Sequence, residues 1–152
     1  MTGLVLAAVW LSAGAAFGQG QQCATPAEQA AGQARRLQSE LMVGMLTCRE
    51  RAELNMVGRY SAAMRGKSDF WAAQGKSLTD HFGRLYGREG QRRMDAFVTQ
   101  LANEAAQRAQ RTPDFCAYAA RLHDQVQAAP AMDALVRDWA QERGIKGDGC
   151  RP

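Results

Sequence analysis

TPAEQAAGQARRLQSELMVGMLTC, residues 25–48, decides the fold. Thr25-Pro26-Ala27-Glu28 is a helix start: the threonine hydroxyl accepts from an orphan backbone N–H, proline suits the first helical position, and Glu28 completes a capping box. Leu37, Leu41, Met42, Met45 and Leu46 then recur at three- and four-residue spacing, one face of a helix, and Cys48 falls on that face. A second apolar stripe follows at Leu54, Val57, Tyr60 and Met64, with no proline between. One helix through both would run about 60 Å at 1.5 Å per residue. A domain of this size is only roughly 35–40 Å across. A break is therefore expected between Cys48 and Glu53.

Downstream, the same spacing predicts more helices. Gly66 ends the second and Ser68 can cap a third, with Trp71, Leu78, Phe82 and Leu85 inward and Gly83, Gly87 and Gly90 closing it. The fourth should turn Met94, Phe97, Val98 and Leu101 inward and Glu104, Gln107 and Arg108 outward. Thr112-Pro113-Asp114 repeats the start signal for a fifth, with Phe115, Tyr118, Leu122 and Val126. Pro130 opens a sixth, with Leu135, Val136 and Trp139, and Gly144 ends it. No run of alternating β-branched residues predicts a strand. The expected fold is all-α, a bundle of five or six short helices in one domain over residues 19–152, with a loose tail from about residue 144.

Ahead of the bundle, an uncharged apolar stretch, Leu4 to Phe17, is shorter than the roughly 20 residues of a membrane span. Ala16 and Gly18 are small residues two apart, so residues 1–18 read as a cleavable signal peptide and the mature chain should begin near Gln19. Gly20, Gln21 and Gln22 before Cys23 argue against lipidation there. The mature chain should lie in the periplasm or be secreted, with no transmembrane span. Its formal net charge of +4 is mostly arginine interspersed with acids, with no block of like charge.

Four cysteines, Cys23, Cys48, Cys116 and Cys150, allow three pairings. No Cys-x-x-Cys occurs, so no thioredoxin-like site or zinc ribbon is expected. Cys48 and Cys116 lie inside helical patterns, and Cys23 and Cys150 near opposite ends. The favoured pairing is Cys48–Cys116 within the bundle and Cys23–Cys150 between the tails, two staples suited to an oxidising compartment.

Glu40-Leu41-Met42-Val43 with Leu46 and Cys48, and Phe97-Val98-Thr99-Gln100-Leu101-Ala102-Asn103 followed by Phe115-Cys116, give the chain a resemblance. Over roughly residues 23–127 it resembles a set of uncharacterised small exported helical proteins of Gram-negative bacteria. That resemblance implies a location and a helical fold, treats Cys48 and Cys116 as one unit, and implies no activity.

Residues that could carry chemistry are few. His81 and His123 each sit beside an aspartate, Asp80 and Asp124, but adjacent residues on a helix do not face each other. Both histidines are expected at the boundary or surface. Glu40, Glu50, Glu53, Asp69, Asp80 and Glu89 read as surface carboxylates. Thr99 and Asn103 lie four apart beside an apolar face, suited to a structural hydrogen bond. The seven methionines have core spacing, which favours packing over copper binding. No nucleophile elbow, phosphate loop or zinc-protease motif is present. Neither catalytic residues, a metal nor a cofactor is expected. Arg84, Arg88, Arg92 and Arg93 cluster around a glycine-rich turn and form the best anion-contact candidate. These features point to a non-enzymatic binding protein for a partner protein or an anionic envelope component, not nucleic acid. The alternative is a small metal-assisted or carboxylate-based hydrolase, which a polar pocket holding His81 or His123 with carboxylates would favour.

Overall fold

A computed structural model describes residues 23–145 of the chain, and those residues form six α-helices and no strand. The helices are α1 (Pro26–Cys48), α2 (Met56–Gly66), α3 (Ser68–Tyr86), α4 (Gly90–Arg111), α5 (Phe115–Ala128) and α6 (Met132–Glu142). Single 3-10 turns, Ala52–Leu54 and Gly87–Glu89, join α1 to α2 and α3 to α4. The expected signal peptide, residues 1–18, falls outside the described residues, as does the expected tail beyond Ile145.

The capping box at Thr25 forms as its sequence dictates. Thr25 N–H donates to Glu28 Oε2 at 2.7 Å, and Glu28 N–H to Thr25 Oγ1 at 3.2 Å. From this start α1 runs unbroken to Cys48, and the chain then turns through the expected break. α1 is the axis of the molecule and packs against each of the other five helices. Being surrounded, it buries more than one stripe: Ala34, Leu37 and Leu41 on one side, and Ser39, Glu40, Val43 and Gly44 on others.

Two apolar clusters follow from this arrangement. One gathers Leu37, Leu41, Ala63, Leu122, Val126, Val136 and Trp139 from α1, α2, α5 and α6. The other gathers Val43, Cys48, Met56, Ala105, Phe115 and Ala119 at the far end of α1. Leu37 and Leu41 are fully buried, and each such side chain contributes about 1.5–3 kcal/mol. Polar ties close the corners. Lys67 Nζ donates to the Ala129 carbonyl at 2.7 Å, and Trp71 Nε1 to the Ala63 carbonyl at 3.2 Å.

Cys48 and Cys116 are disulfide-bonded, with Cα atoms 5.6 Å apart and a sequence separation of 68. Closing that loop restricts the unfolded chain by an entropy worth about 4 kcal/mol. Of the two staples expected, this is the one the described residues contain. The other, Cys23–Cys150, falls on Cys150, outside the described residues; no described cysteine is free.

Several faces differ from the sequence expectation. Leu46 and Val57 are 49% and 56% exposed. After Asn55, in a left-handed conformation (φ 44°), Met56 and Ala63 enter the core, Leu54, Tyr60 and Met64 pack against it as expected, and Val57 turns out. Ser68 is the first residue of α3 and caps nothing. α3 continues through Gly83 to Tyr86. Thr112 finishes α4 instead of starting α5: its hydroxyl donates to the Arg108 carbonyl at 2.8 Å. Glu104 and Arg108 turn toward α1, where Arg36 and Glu40 await them. Glu40 and His123, read as surface or boundary groups, are 1% and 0% exposed.

Candidate functional site, the α1/α3/α4 cleft

α3 and α4, joined by one 3-10 turn, pack against each other and against α1. The elbow between them is tight. Gly87 has φ 54°, a left-handed conformation that glycine adopts at no steric cost. At Gly90 a Cβ would stand 2.8 Å from the Phe82 carbonyl oxygen, so only glycine lets α4 start there. This elbow brings Phe82 and Phe97 together, ring centroids 5.5 Å apart, and stacks Tyr86 beside Phe82 at 6.0 Å.

Between these rings and α1 lies a cleft of about 240 Å³. Leu78, Phe82, Phe97 and Tyr86 supply its apolar side; Glu28, Gln29, Gly32, Gln33 and Arg36 supply the α1 side, and His81 stands at the same wall as Glu28. Gly32 adds to the space, because a Cβ there would meet no atom within 4 Å.

The ionisable groups of the cleft bind one another. Arg84 Nη2 donates to Glu28 Oε1 at 2.8 Å and Oε2 at 2.7 Å, and His81 Nδ1 lies 3.2 Å from Oε2. With the Thr25 N–H added, the Glu28 carboxylate has three partners, and its side chain is only 12% exposed. Arg84 chiefly holds the Glu28 carboxyl down, from 4.5 to about 2; burial opposes this, and Thr25 and His81 assist. Deeper along α1, Arg36 Nη1 donates to Glu104 Oε2 at 2.5 Å while its guanidinium lies over the Phe97 ring, 6.0 Å from the centroid. Burial raises the Glu104 carboxyl; Gln100, Arg36 and Arg108 outweigh it, so the net shift is downward.

The four arginines singled out by sequence divide here. Arg84 faces Glu28 across the cleft. Arg92 pairs with Glu89, Arg93 lies over the Tyr86 ring at 5.4 Å, and Arg88 is exposed on the 3-10 turn. Arg88, Arg92 and Arg93 therefore share the elbow, with Arg93 at the lip of the cleft through Tyr86.

The two histidines are not brought together. His123 lies at the α1/α2/α5 junction, where Nδ1–H donates to the Ala119 carbonyl at 2.7 Å and Tyr60 presents its ring edge-on at 6.2 Å. Its Nε2 is buried with no partner, and burial pushes its pKa below the ordinary 6.5. Asp124 pairs instead with Arg59, and Asp80 with Lys76. Glu50 and Glu53 pair with their neighbours Arg49 and Arg51 on the surface, and Asp69 is exposed. Glu40 Oε2 receives both Nε (3.0 Å) and Nη2 (2.9 Å) of Arg108, while Oε1 has no partner. Thr99 donates to the Asp95 carbonyl of its own helix, and Asn103 is exposed. No three histidine, cysteine or acidic side chains gather into a metal-sized cluster among the described residues.

Sequence reasoning missed Glu28 as a site residue, seeing only its cap, and missed Arg36 and Gly32 altogether. Gly32 carried the available signal: glycine inside a long helix costs stability, and here it leaves room beside Phe82. The chain matches no protein-family model, no curated protein and no solved structure.

Proposed function

We propose that this is a non-enzymatic binding protein of the cell envelope, taking a partner protein or an anionic envelope component through the cleft and the adjoining arginine elbow. The observation that carries the reading is the mutual satisfaction of the charged groups. Glu28 stays ionised down to about pH 2 because Arg84 and its other partners hold it. A carboxylate so stabilised is a weak general base and cannot serve as an acid near neutral pH. Rings and arginines side by side suit recognition of an apolar group next to a negative charge. Export to the periplasm or medium remains part of this proposal. The Cys48–Cys116 disulfide suits it, and no described helix is long and apolar enough to cross a membrane.

The test compares wild type with an Arg88→Gln/Arg92→Gln/Arg93→Gln variant on phosphatidylglycerol vesicles and on cell-wall fragments. These three side chains lie outside the core, so folding should be unchanged. Wild type should be retained at low salt and released as screening shortens to a Debye length of about 8 Å. Equal retention of both proteins would sink the anionic-surface form and leave a protein partner. One observation favours a hydrolase instead: His81 stands in the cleft beside a carboxylate. Under that reading, turnover of envelope substrates would occur and vanish in His81→Ala.

A further inference from the structure

We propose that the cleft takes a small carboxylate bearing one aromatic ring, with the ring against Phe82 and the carboxylate toward Arg36. This rests on the binding reading above and names its ligand class.

Size sets the first limit. About 240 Å³ lies below the roughly 300–1,000 Å³ of pockets for drug-sized ligands. It has the room of one ring and a short chain. The apolar wall of Leu78, Phe82 and Phe97 gains by losing contact with that water. Ring stacking on Phe82 continues an arrangement the protein already uses with Tyr86, beside the tilted contact with Phe97.

Charge sets the second limit. An aromatic cage for a cation offers ring faces to it. Here guanidinium groups already lie over the outer rings, Arg36 over Phe97 and Arg93 over Tyr86. An entering cation would meet two like charges, while the carboxylates at hand are already engaged, Glu28 by Arg84 and Glu104 by Arg36. An anion meets the reverse situation. Arg36 has five N–H donors, and its bond to Glu104 uses Nη1 alone. The planar donors that remain match a carboxylate.

Three probes share a phenyl ring and a three-carbon chain and differ in head-group charge: 3-phenylpropionate, 3-phenylpropan-1-ol and 3-phenylpropylammonium. Each is titrated into the full chain and followed by chemical-shift perturbation. The carboxylate should bind about fivefold more tightly than the alcohol, and the ammonium weakest. Gly32→Leu, which projects a side chain into open space, should abolish binding of all three while leaving the melting transition in place. Arg36→Gln with Glu104→Gln leaves no unpaired charge and should bring the carboxylate down to the level of the alcohol. Ammonium binding as tight as carboxylate binding would overturn the proposal, as would binding untouched by Gly32→Leu or no binding of any probe. Vesicle retention compared across the Arg88, Arg92 and Arg93 substitutions reads the elbow, and probe titration reads the cleft. Retention without probe binding therefore defeats the ligand class alone, whereas arginine-independent retention defeats the elbow reading.

Discussion

The two ends of α1 are held by different physics. At its C-terminal end a disulfide, an apolar cluster and a close helix contact fix α5 against it. At its N-terminal end α3 and α4 are held by ion pairs and ring contacts around a cleft. The C-terminal end is closed by these contacts inside, with an open groove of about 390 Å³ on its surface beside Phe115 and Cys116. An end held by directional contacts at the rim can leave space inside. The contrast can be broken from either side.

The largest effect should come from the stapled end. Cys48→Ala with Cys116→Ala removes the restriction on a 68-residue loop, and stability should fall by about 4 kcal/mol. Urea unfolding of the two proteins measures this. A loss below about 1 kcal/mol would mean that the apolar cluster alone fixes this end. Non-reducing peptide mapping of wild type should recover Cys48 joined to Cys116.

Next in size is Gly44→Ala. A Cβ at Gly44 would stand 2.8 Å from the Ala119 Cβ, neither of which can rotate away. α1 and α5 must separate, at a cost of about 1–3 kcal/mol in line with other overpacked cores. Thermal unfolding should register the drop, and an unchanged midpoint would show that this helix contact has slack.

How much of this contrast was legible in the sequence depends on the element. The α1 start, the break after Cys48 and the all-helical class came from local rules: a capping box, spacing, and helix length against domain size; the disulfide came from choosing among only three pairings of four cysteines. The cleft did not, because it depends on which helix lies across which. Arg84 meets Glu28 from 56 positions away, and Arg108 meets Glu40 from 68. No local pattern encodes such pairings. Val57 and Met56 show the same limit at short range: the spacing pointed to Val57, but Met56 is the side chain that is buried and Val57 is exposed. His123 was misjudged because α1 is wrapped on every side, so α5 meets both α1 and α2 and buries a position beside its apolar stripe.

Acid should separate the two ends by pH. The pKa of His123 is depressed in the folded state, so its contribution to stability is present above the unfolded value of 6.5 and is lost as pH falls toward the folded one. Glu28 is depressed too, from 4.5 to about 2, so its contribution is present above pH 4.5 and is lost as pH falls toward 2. Stability against pH should thus decline first through His123 and later through Glu28. His123→Leu should flatten the first decline, and Glu28→Gln the second. A first decline that survives His123→Leu would have to be assigned to another group.

The smallest effect should be a gain, at the cleft. Gly32 lies inside α1, and glycine in a helix interior costs about 1 kcal/mol relative to alanine. Its added Cβ would meet nothing within 4 Å. Gly32→Ala should therefore stabilise the protein by about 0.5–1 kcal/mol, because it restricts the unfolded chain without disturbing the folded one. The same change at Gly44 should destabilise, although both glycines lie in the same helix and share one backbone conformation. Opposite signs from one substitution at two positions of α1 isolate packing as the difference. A melting midpoint that rises for Gly32→Ala and falls for Gly44→Ala would sharpen the contrast between the open end and the closed end. A fall at Gly32 would show that the cleft is not open and would count against any ligand seated there.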